Sequence, residues 1–259
     1  MPRSSRQAEL RRRVLTRLLR SSERIRTADA AERLGVTAMT IRRDLAALAS
    51  AGVAIRSYGG AVPAGRITFE YAFSRRHLSS LPEKRRIAAA AAGRVKPGDT
   101  VFVDTGTTTL ALARALARTN RRCTVVTSSL AVAAELWSCE PVALVLLGGR
   151  VRDGSPDLAG AETEAALRQM RADVAFVGSD GVDPQRGSFA DDPEVAGVAA
   201  LMVRRARRVI VVADAGKLGR TAAARFARIQ DVDELITDRR ASRSLVAAMR
   251  RRGVKVTLA

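Results

Sequence analysis

Seven short apolar runs, most of them separated by helix-forming segments, constrain the fold of residues 82–259 more than any other feature of the sequence. Strands that alternate with helices pair in parallel and are covered by the helices on both faces. The runs are residues 100–103, 124–127, 143–147, 174–177, 209–213, 234–237 and 254–258. The sequence therefore predicts a mainly parallel α/β domain, with Pro82 opening its first helix.

The composition excludes several classes of protein. Hydrophobic residues make up 47% of the chain, which favours folded domains over disorder. No apolar run approaches the roughly 18–20 residues that span a bilayer, and no signal-peptide core follows the basic N-terminal residues, so we expect a cytoplasmic protein. The two cysteines, Cys123 and Cys139, and the single histidine, His77, lack the spacing of a metal site or disulfide framework. We expect no metal and no cofactor.

The net charge of +19 favours a polyanionic partner, because nucleic-acid binding rests on the neutralisation of phosphates. An arginine bias with abundant alanine is also typical of GC-rich genomes, so the charge alone does not decide the question. Its placement is more informative, since the first sixty residues contain 13 arginines and only five acidic residues. This concentration indicates a nucleic-acid contact near the N-terminus.

The basic N-terminal segment has the pattern of a helix-turn-helix followed by a wing. A first helix is predicted over residues 6–20, and its inward stripe is predicted to be Leu10, Val14 and Leu18. A second helix is predicted over residues 28–34, with Thr27 as its N-cap. After a turn at Gly35 and Val36, Thr37 caps a third helix that runs to about Ser50 and ends at Gly52. Two short strands, residues 53–56 and 60–62, form the wing around Tyr58.

The third predicted helix is the candidate for reading DNA. It buries Ile41, Leu45 and Leu48, which leaves the opposite side of its N-terminal half free to meet bases in a major groove. Arginine can bind guanine through two N–H groups or bind phosphate, and the neighbouring Asp44 can orient an arginine by an ion pair. An arginine pair alone is more typical of a solvated helix face. The residues predicted to contact DNA are Thr37, Ala38, Met39, Thr40, Arg42 and Arg43 of the helix and Arg56 and Tyr58 of the wing.

Residues 27–61 resemble the winged helix of the DeoR family of sugar-metabolism regulators. The resemblance rests on residues 40–45 (Thr-Ile-Arg-Arg-Asp-Leu), on Gly52 and on residues 56–61 (Arg-Ser-Tyr-Gly-Gly-Ala). Tyr58 stands where the family usually has histidine, which changes one wing contact. The resemblance implies that this part of the chain binds operator DNA.

A strand, a hydroxyl-rich loop and a helix start follow one another over residues 101–110. Such a loop presents backbone amides and threonine hydroxyls at the positive end of a helix dipole, which suits a phosphate. The loop is neither a Walker loop nor a dinucleotide fingerprint, and helix capping by threonine explains it equally well.

Several segments after residue 82 resemble the C-terminal sensor domain of the same family, in the family's order. They are residues 83–84, 127–130, 148–149, 158–160, 176–183 and 213–219. The resemblance implies a fold similar to ribose-phosphate isomerases and acyl-CoA transferases, and a domain that binds phosphorylated sugars. It implies that the phosphate is held by Asp104, Thr105, Gly106, Thr107, Thr108 and Thr109, and that Asp180, Asp214 and Lys217 line the sugar side.

The candidate effector residues follow the ends of apolar strands. Asp104, Ser128, Gly148, Gly178 and Asp214 all take this position. Carboxyl ends of parallel strands are where ligand crevices form, so we expect these residues, Ser128 among them, to share one crevice. Two departures from the family concern it: Ser128 replaces a common asparagine, and residues 197–199 (Gly-Val-Ala) replace a Glu-Val-Lys type run.

The sequence therefore predicts a winged helix-turn-helix over residues 1–62, a linker over 63–81 and a sugar-phosphate-sensing α/β domain over 82–259. We expect the aromatic residues of the linker to dock against another part of the protein; they are Phe69, Tyr71 and Phe73. We expect a homodimer or a higher homo-oligomer that represses carbohydrate-metabolism genes and leaves its operator when a phosphorylated sugar binds. One alternative is a sugar-phosphate isomerase fused to a DNA-binding domain, although no catalytic set is evident. A second alternative is a DNA-binding protein whose α/β domain only oligomerises.

Overall fold

The computed structural model describes residues 3–21, 24–50, 54–57, 59–63, 80–152 and 155–259. Contacts divide the chain into two units, residues 1–67 and 68–259. The predicted linker segment with Phe69, Tyr71 and Phe73 lies outside the described residues, as do Gly52, Val53 and Tyr58.

The described residues of the N-terminal unit form three helices and a three-stranded antiparallel sheet. In chain order its elements are α1 (Arg3–Ser21), β1 (Ile25–Arg26), α2 (Thr27–Leu34), α3 (Ala38–Ser50), β2 (Ala54–Ser57) and β3 (Gly60–Pro63). The strand order is β1-β3-β2. A single apolar cluster that includes Leu15, Leu19, Ile25, Ile41 and Leu45 joins these elements. The predicted winged helix-turn-helix is confirmed, and β1 is the strand that the sequence pattern did not indicate.

The inward stripe predicted for the first helix is wrong by one position. Leu10 is 56% exposed and Val14 is also exposed, whereas Leu15 and Leu19 are buried. Leu18, the third predicted residue, is partly buried and packs against the same apolar cluster. Both stripes have the same four-residue spacing, so periodicity alone does not choose between them. The stripe through Leu15 and Leu19 also contains Arg11, and this arginine is accommodated because its Nε donates to the buried carboxylate of Asp44 at 2.7 Å.

The ends of α2 and α3 follow the predicted turn chemistry with one correction. Gly35 ends α2 in the left-handed conformation at φ 61°, and Thr37 caps α3 because its Oγ1 accepts from the N–H of Thr40 at 3.2 Å. Thr27, however, is the first residue of α2 and not its N-cap, since the chain enters the helix directly from β1. Its N–H donates to the carbonyl of Gly59 at 2.9 Å.

The C-terminal unit is organised around a seven-stranded sheet whose neighbouring strands are all parallel, in the order β15-β14-β12-β9-β4-β5-β6. These strands are β4 (Thr100–Val103), β5 (Cys123–Thr127), β6 (Val142–Leu146), β9 (Val174–Gly178), β12 (Val209–Val212), β14 (Glu234–Thr237) and β15 (Lys255–Leu258). Every predicted strand is confirmed to within one residue at each end. The predicted fold class, an α/β domain with a mainly parallel sheet, is therefore confirmed.

Helices cover both faces of this sheet. They are α4 (Leu81–Ala92), α5 (Thr107–Leu116), α6 (Leu130–Leu136), α7 (Ala161–Arg168), α8 (Pro193–Arg205) and α9 (Arg243–Arg251). Side chains of β4 alternate between the two faces: Val101 and Val103 join the cluster that contains Leu112, and Phe102 joins the cluster that contains Met202. Pro82 lies in the first turn of α4, as predicted.

Two small antiparallel sheets were not predicted. One has the order β10-β11-β13, formed by Gly181–Asp183, Gly187–Ala190 and Ala224–Ala227, and the other pairs β7 (Arg150–Val151) with β8 (Leu158–Ala159). These strands have only two to four residues, which is too few to show an apolar alternation that can be recognised from sequence.

Candidate functional site

A cavity of about 870 Å³ opens at the carboxyl edge of the parallel sheet. The loops that follow β4, β9 and β12 contribute to its wall, as expected for this architecture. The predicted effector residues that line it are Asp104, Thr105, Gly106, Thr107, Thr108, Asp180, Asp214 and Lys217. The structure therefore brings together eight residues that were predicted from separate parts of the sequence.

The loop after β4 contributes Thr105, Gly106, Thr107 and Thr108 to the wall. Gly106 occupies the N-cap position of α5 at φ 122°, a backbone conformation that favours glycine. The loop lies at the N-terminus of a ten-residue helix, where backbone N–H groups without helical partners and the helix dipole favour an anion.

Asp104 immediately precedes this loop and is only 2% exposed. Its Oδ2 accepts from the N–H of Gly178 at 3.0 Å, whereas its Oδ1 is buried and has no hydrogen-bond partner in the part of the chain that the structure describes. Burial raises the pKa of Asp104 to about 7, and the negative charges of Asp157 and Asp180 add to this effect. The cavity therefore contains a carboxyl group that is only partly ionised at neutral pH.

Asp180 and Lys217 form an ion pair in the same wall, with Nζ of Lys217 3.3 Å from Oδ1 of Asp180. Oδ2 of Asp180 accepts from the N–H of Asp191 at 3.1 Å. Asp214 caps a short 3-10 turn, Ala215–Lys217, by accepting from the N–H of Gly216. This turn positions Lys217 toward the cavity.

Three predicted residues do not line the cavity. Gly148, which follows β6, is exposed, and its carbonyl accepts from Oγ1 of Thr163 at 2.6 Å. Thr109 is fully buried, and its hydroxyl donates to the carbonyl of Gly106 at 3.0 Å. Ser128 is also fully buried, because the chain at Leu158 crosses it and donates to its carbonyl at 2.8 Å.

Residues 197–199 are the segment that replaces the Glu-Val-Lys type run of the family. Ala199 of this segment lines the cavity, and because its side chain is smaller than lysine it leaves space there.

Sequence reasoning missed a group of ion-paired residues that also lines the cavity. Arg152 donates to Oδ2 of Asp157 at 2.8 Å and to Oδ2 of Asp192 at 2.7 Å. Asp192 also caps α8 through the N–H of Glu194.

Lys84 of α4, 4% exposed, lines the cavity as well. An Asp-Pro pair before a helix is a recognisable capping signal, but nothing in the sequence links it to Arg152.

The candidate DNA-reading surface is the outer side of α3. Thr37, Ala38, Met39, Arg42 and Arg43 are exposed, with Met39 at 62%, and Thr40 is half-buried. Arg56 of β2 is exposed too, and Tyr58 lies outside the described residues.

Asp44 does not pair with the arginines beside it on α3. It is buried and accepts from Nε of Arg11 at 2.7 Å and from Nε of Arg12 at 3.2 Å. The carboxylate thus fixes α1 to α3 and leaves the outer side of α3 without a negative charge from Asp44.

In the part of the chain that the structure describes, no three His, Cys, Asp or Glu side chains are placed to share a metal ion. Cys123 and Cys139 are free thiols. A search of the same residues finds no helix with the length and apolar character needed to cross a membrane.

Comparison with known proteins gives matches to both parts of the chain. The family model of the DeoR-like helix-turn-helix domain matches residues 11–65, and that of the DeoR C terminal sensor domain matches residues 79–239.

Curated relatives match along most of their length. The chain is 34% identical to the HTH-type transcriptional regulator GlpR of Haloferax volcanii, over 89% of each chain. It is 32% identical to the transcriptional repressor AccR of Agrobacterium fabrum, over 86% of this chain and 87% of that protein. It is 31% identical to the glycerol-3-phosphate regulon repressor of Escherichia coli K12, over 85% of this chain and 87% of that protein.

Among solved structures, ribose 5-phosphate isomerase A of Methanocaldococcus jannaschii aligns with a TM-score of 0.42 at 19% identity. The alignment covers 54% of this chain and 55% of that one.

Proposed function

Since this chain belongs to the DeoR family of transcriptional regulators, we propose that it represses carbohydrate-metabolism genes and is released from its operator by a phosphorylated sugar. Residues 1–62 bind DNA, residues 63–81 link the two parts, and residues 82–259 sense the effector. The protein acts in the cytoplasm as a homodimer or higher homo-oligomer, because two helix-turn-helix units that read adjacent half-sites gain effective concentration.

The observation that carries the effector proposal is the convergence of a helix N-terminus and charged side chains on one cavity. The loop of Thr105–Thr108 offers backbone N–H groups to a phosphate. The carboxyl group of Asp104, which the family resemblance assigned to the phosphate together with this loop, would repel a phosphate when ionised and is left out of the phosphate site. Lys217, held by Asp180 on the same wall, offers a positive charge. Sugar hydroxyls then meet the carboxylates of Asp180 and Asp214. Binding at this cavity weakens operator affinity if the ligand favours the conformation that does not bind DNA.

Replacing Arg42 or Arg43 by alanine should weaken operator binding by about 1–3 kcal/mol, or roughly 5- to 150-fold, if each side chain reads a base. Both are exposed on α3. Gel-shift titration against the selected operator measures the effect. Arg33→Ala is the control, because this arginine is exposed on α2. Equal affinities for the arginine variants of α3, the control and the wild type would rule out base reading.

Lys217→Met should leave operator affinity unchanged and reduce release by the effector, because it removes a cation from the cavity wall. Operator release measured against a titration of sugar phosphates checks this expectation. Lys96→Met is the matched control, since Lys96 is exposed and does not line the cavity. Normal release in the Lys217 variant would refute its role.

We further propose that the cavity binds phosphorylated sugars without converting them. The relatives are named as regulators, and a switch needs differential affinity for two states, not a proton transfer. Calorimetry with a panel of sugar phosphates, combined with a turnover assay on the same compounds, tests this. Multiple turnovers of any of them would favour the isomerase alternative, and release by free sugars but not by their phosphates would exclude the loop as the phosphate site.

A further inference from the structure

Acidic side chains outnumber basic ones in the wall of the cavity where we propose that an anion binds. Among the residues that the structure describes, the wall contains three cations, Lys84, Arg152 and Lys217. It contains six carboxylates, those of Asp104, Asp157, Asp180, Asp191, Asp192 and Asp214. A phosphate group alone would therefore add negative charge to a wall that already has an excess of it.

Two of these carboxylates, Asp104 and Asp157, are buried and only partly satisfied. Each is 2% exposed, and in each the Oδ1 atom has no hydrogen-bond partner among the described residues. The second oxygen is satisfied in both cases, by the N–H of Gly178 for Asp104 and by Arg152 for Asp157. A buried acceptor without a donor is costly, so the two Oδ1 atoms mark where a ligand donates hydrogen bonds.

The two carboxyl groups differ in how their charge is compensated. Asp157 pairs with Arg152 at 2.8 Å, although Arg152 is shared with Asp192. No ion pair of Asp104 with a cation occurs among the described residues within 4.0 Å, and burial raises its pKa, with the charge of Asp157 adding to the shift. The two groups therefore interact across the same wall, and a positive charge from a ligand would stabilise the ionised form of Asp104.

We propose that the effector carries a protonated amine beside its phosphate, and that this ammonium group donates to Oδ1 of Asp104 and Oδ1 of Asp157. An ammonium group has three donors and a full positive charge, so it can satisfy both oxygens and reduce the excess of carboxylates. A hydroxyl has one donor and no charge. The ligand class is a phosphorylated amino sugar with a free amine, and this assignment rests on the proposed function of the same cavity.

Calorimetry on the full chain at pH 7 tests the proposal with compounds that differ only at one carbon. Glucosamine 6-phosphate, glucose 6-phosphate and N-acetylglucosamine 6-phosphate form one series, and the corresponding galactose compounds form a second. In at least one series we expect the free amine to bind about tenfold or more tightly than the alcohol, because charge-assisted hydrogen bonds are the stronger ones. Acetylation removes the charge and should abolish the preference.

The variants Asp157→Asn and Asp104→Asn assign the preference to these two residues. Each should reduce the ratio of amine to alcohol affinity toward one, whereas Asp183→Asn, outside the cavity wall, should retain it. The inference is overturned if the alcohols bind as tightly as the amines in both series. It is also overturned if the preference for the amine persists in both aspartate variants. Neither result contradicts the proposed function. If no phosphorylated sugar of a broad panel binds, the proposed function and this inference both fail.

Discussion

Asparagine in place of Asp104 should stabilise the C-terminal unit above pH 7. The carboxyl is 2% exposed, and burial raises its pKa to about 7 in the folded protein, whereas an unfolded chain releases the proton near pH 4. Between these values the folded state binds more protons than the unfolded state. The stability of the wild type therefore falls as the pH rises from about 4 to about 7. The linked free energy is at most about 4 kcal/mol.

Thermal unfolding of the full chain at pH 5 and pH 8 measures this difference. Asparagine does not titrate, and its carbonyl can accept from the N–H of Gly178 as Oδ2 of Asp104 does. We expect the variant to gain up to about 10 °C in Tm at pH 8 and less than half of that at pH 5, given about 2–4 °C for each kcal/mol. Asp183→Asn is the control outside the cavity wall. A Tm at pH 8 that does not differ between the two variants would contradict the assignment.

Alanine in place of Gly60 should unfold the wing. A Cβ atom at this position would overlap the backbone carbonyl oxygen of Ile25, which is part of the strand that pairs with β3. Because the overlapping atom belongs to the backbone, it can move aside only if the pairing of β1 with β3 is lost. We expect a loss of about 3 kcal/mol or more in the stability of the N-terminal unit, together with loss of operator binding.

Ser57→Ala is the matched control for this change. Ser57 lies opposite Gly60 in the pairing of β2 with β3. Its buried hydroxyl has no hydrogen-bond partner among the residues that the structure describes, so removing it should cost little or even stabilise the unit. Hydrogen exchange over residues 25–63 and gel shift on the operator distinguish the two variants. Wild-type protection of β1 in the Gly60 variant would show that the wing tolerates the side chain.

The sequence predicted the parallel sheet well because most of its strands are short apolar runs rich in valine, a strong signal. It placed the first helix correctly and its buried face wrongly, since the stripe through Leu10 and the stripe through Leu15 have equal spacing. The buried Asp44 decides between them by accepting from Arg11, and such a pairing between residues 33 positions apart is not visible in a local pattern.

The candidate site was predictable where its residues are consecutive. The loop from Thr105 to Thr108 could be recognised as a unit, but Thr109 faces the interior because successive residues of a helix point about 100° apart. Arg152 and Asp157 were missed because they lie next to the two-residue strands β7 and β8, which have no periodic pattern. Ser128 was placed at the right strand end, but the chain at Leu158 crosses it.

The cavity wall is assembled from short segments around residues 84, 104–108, 152, 155–157, 178–180, 190–199 and 213–217, which stand on a sheet whose own core lies between its strands and the covering helices. These segments contact one another, as Asp104 does with Gly178 and Lys217 with Asp180, but most of them are loops at one edge of the sheet, where substitutions are tolerated better than in the core. For evolution this means that a duplicated regulator can acquire a new inducer through a few changes at one rim while its DNA-binding unit stays intact. Among the descendants of such a duplication, the inducer that each regulator recognises then changes faster than the fold.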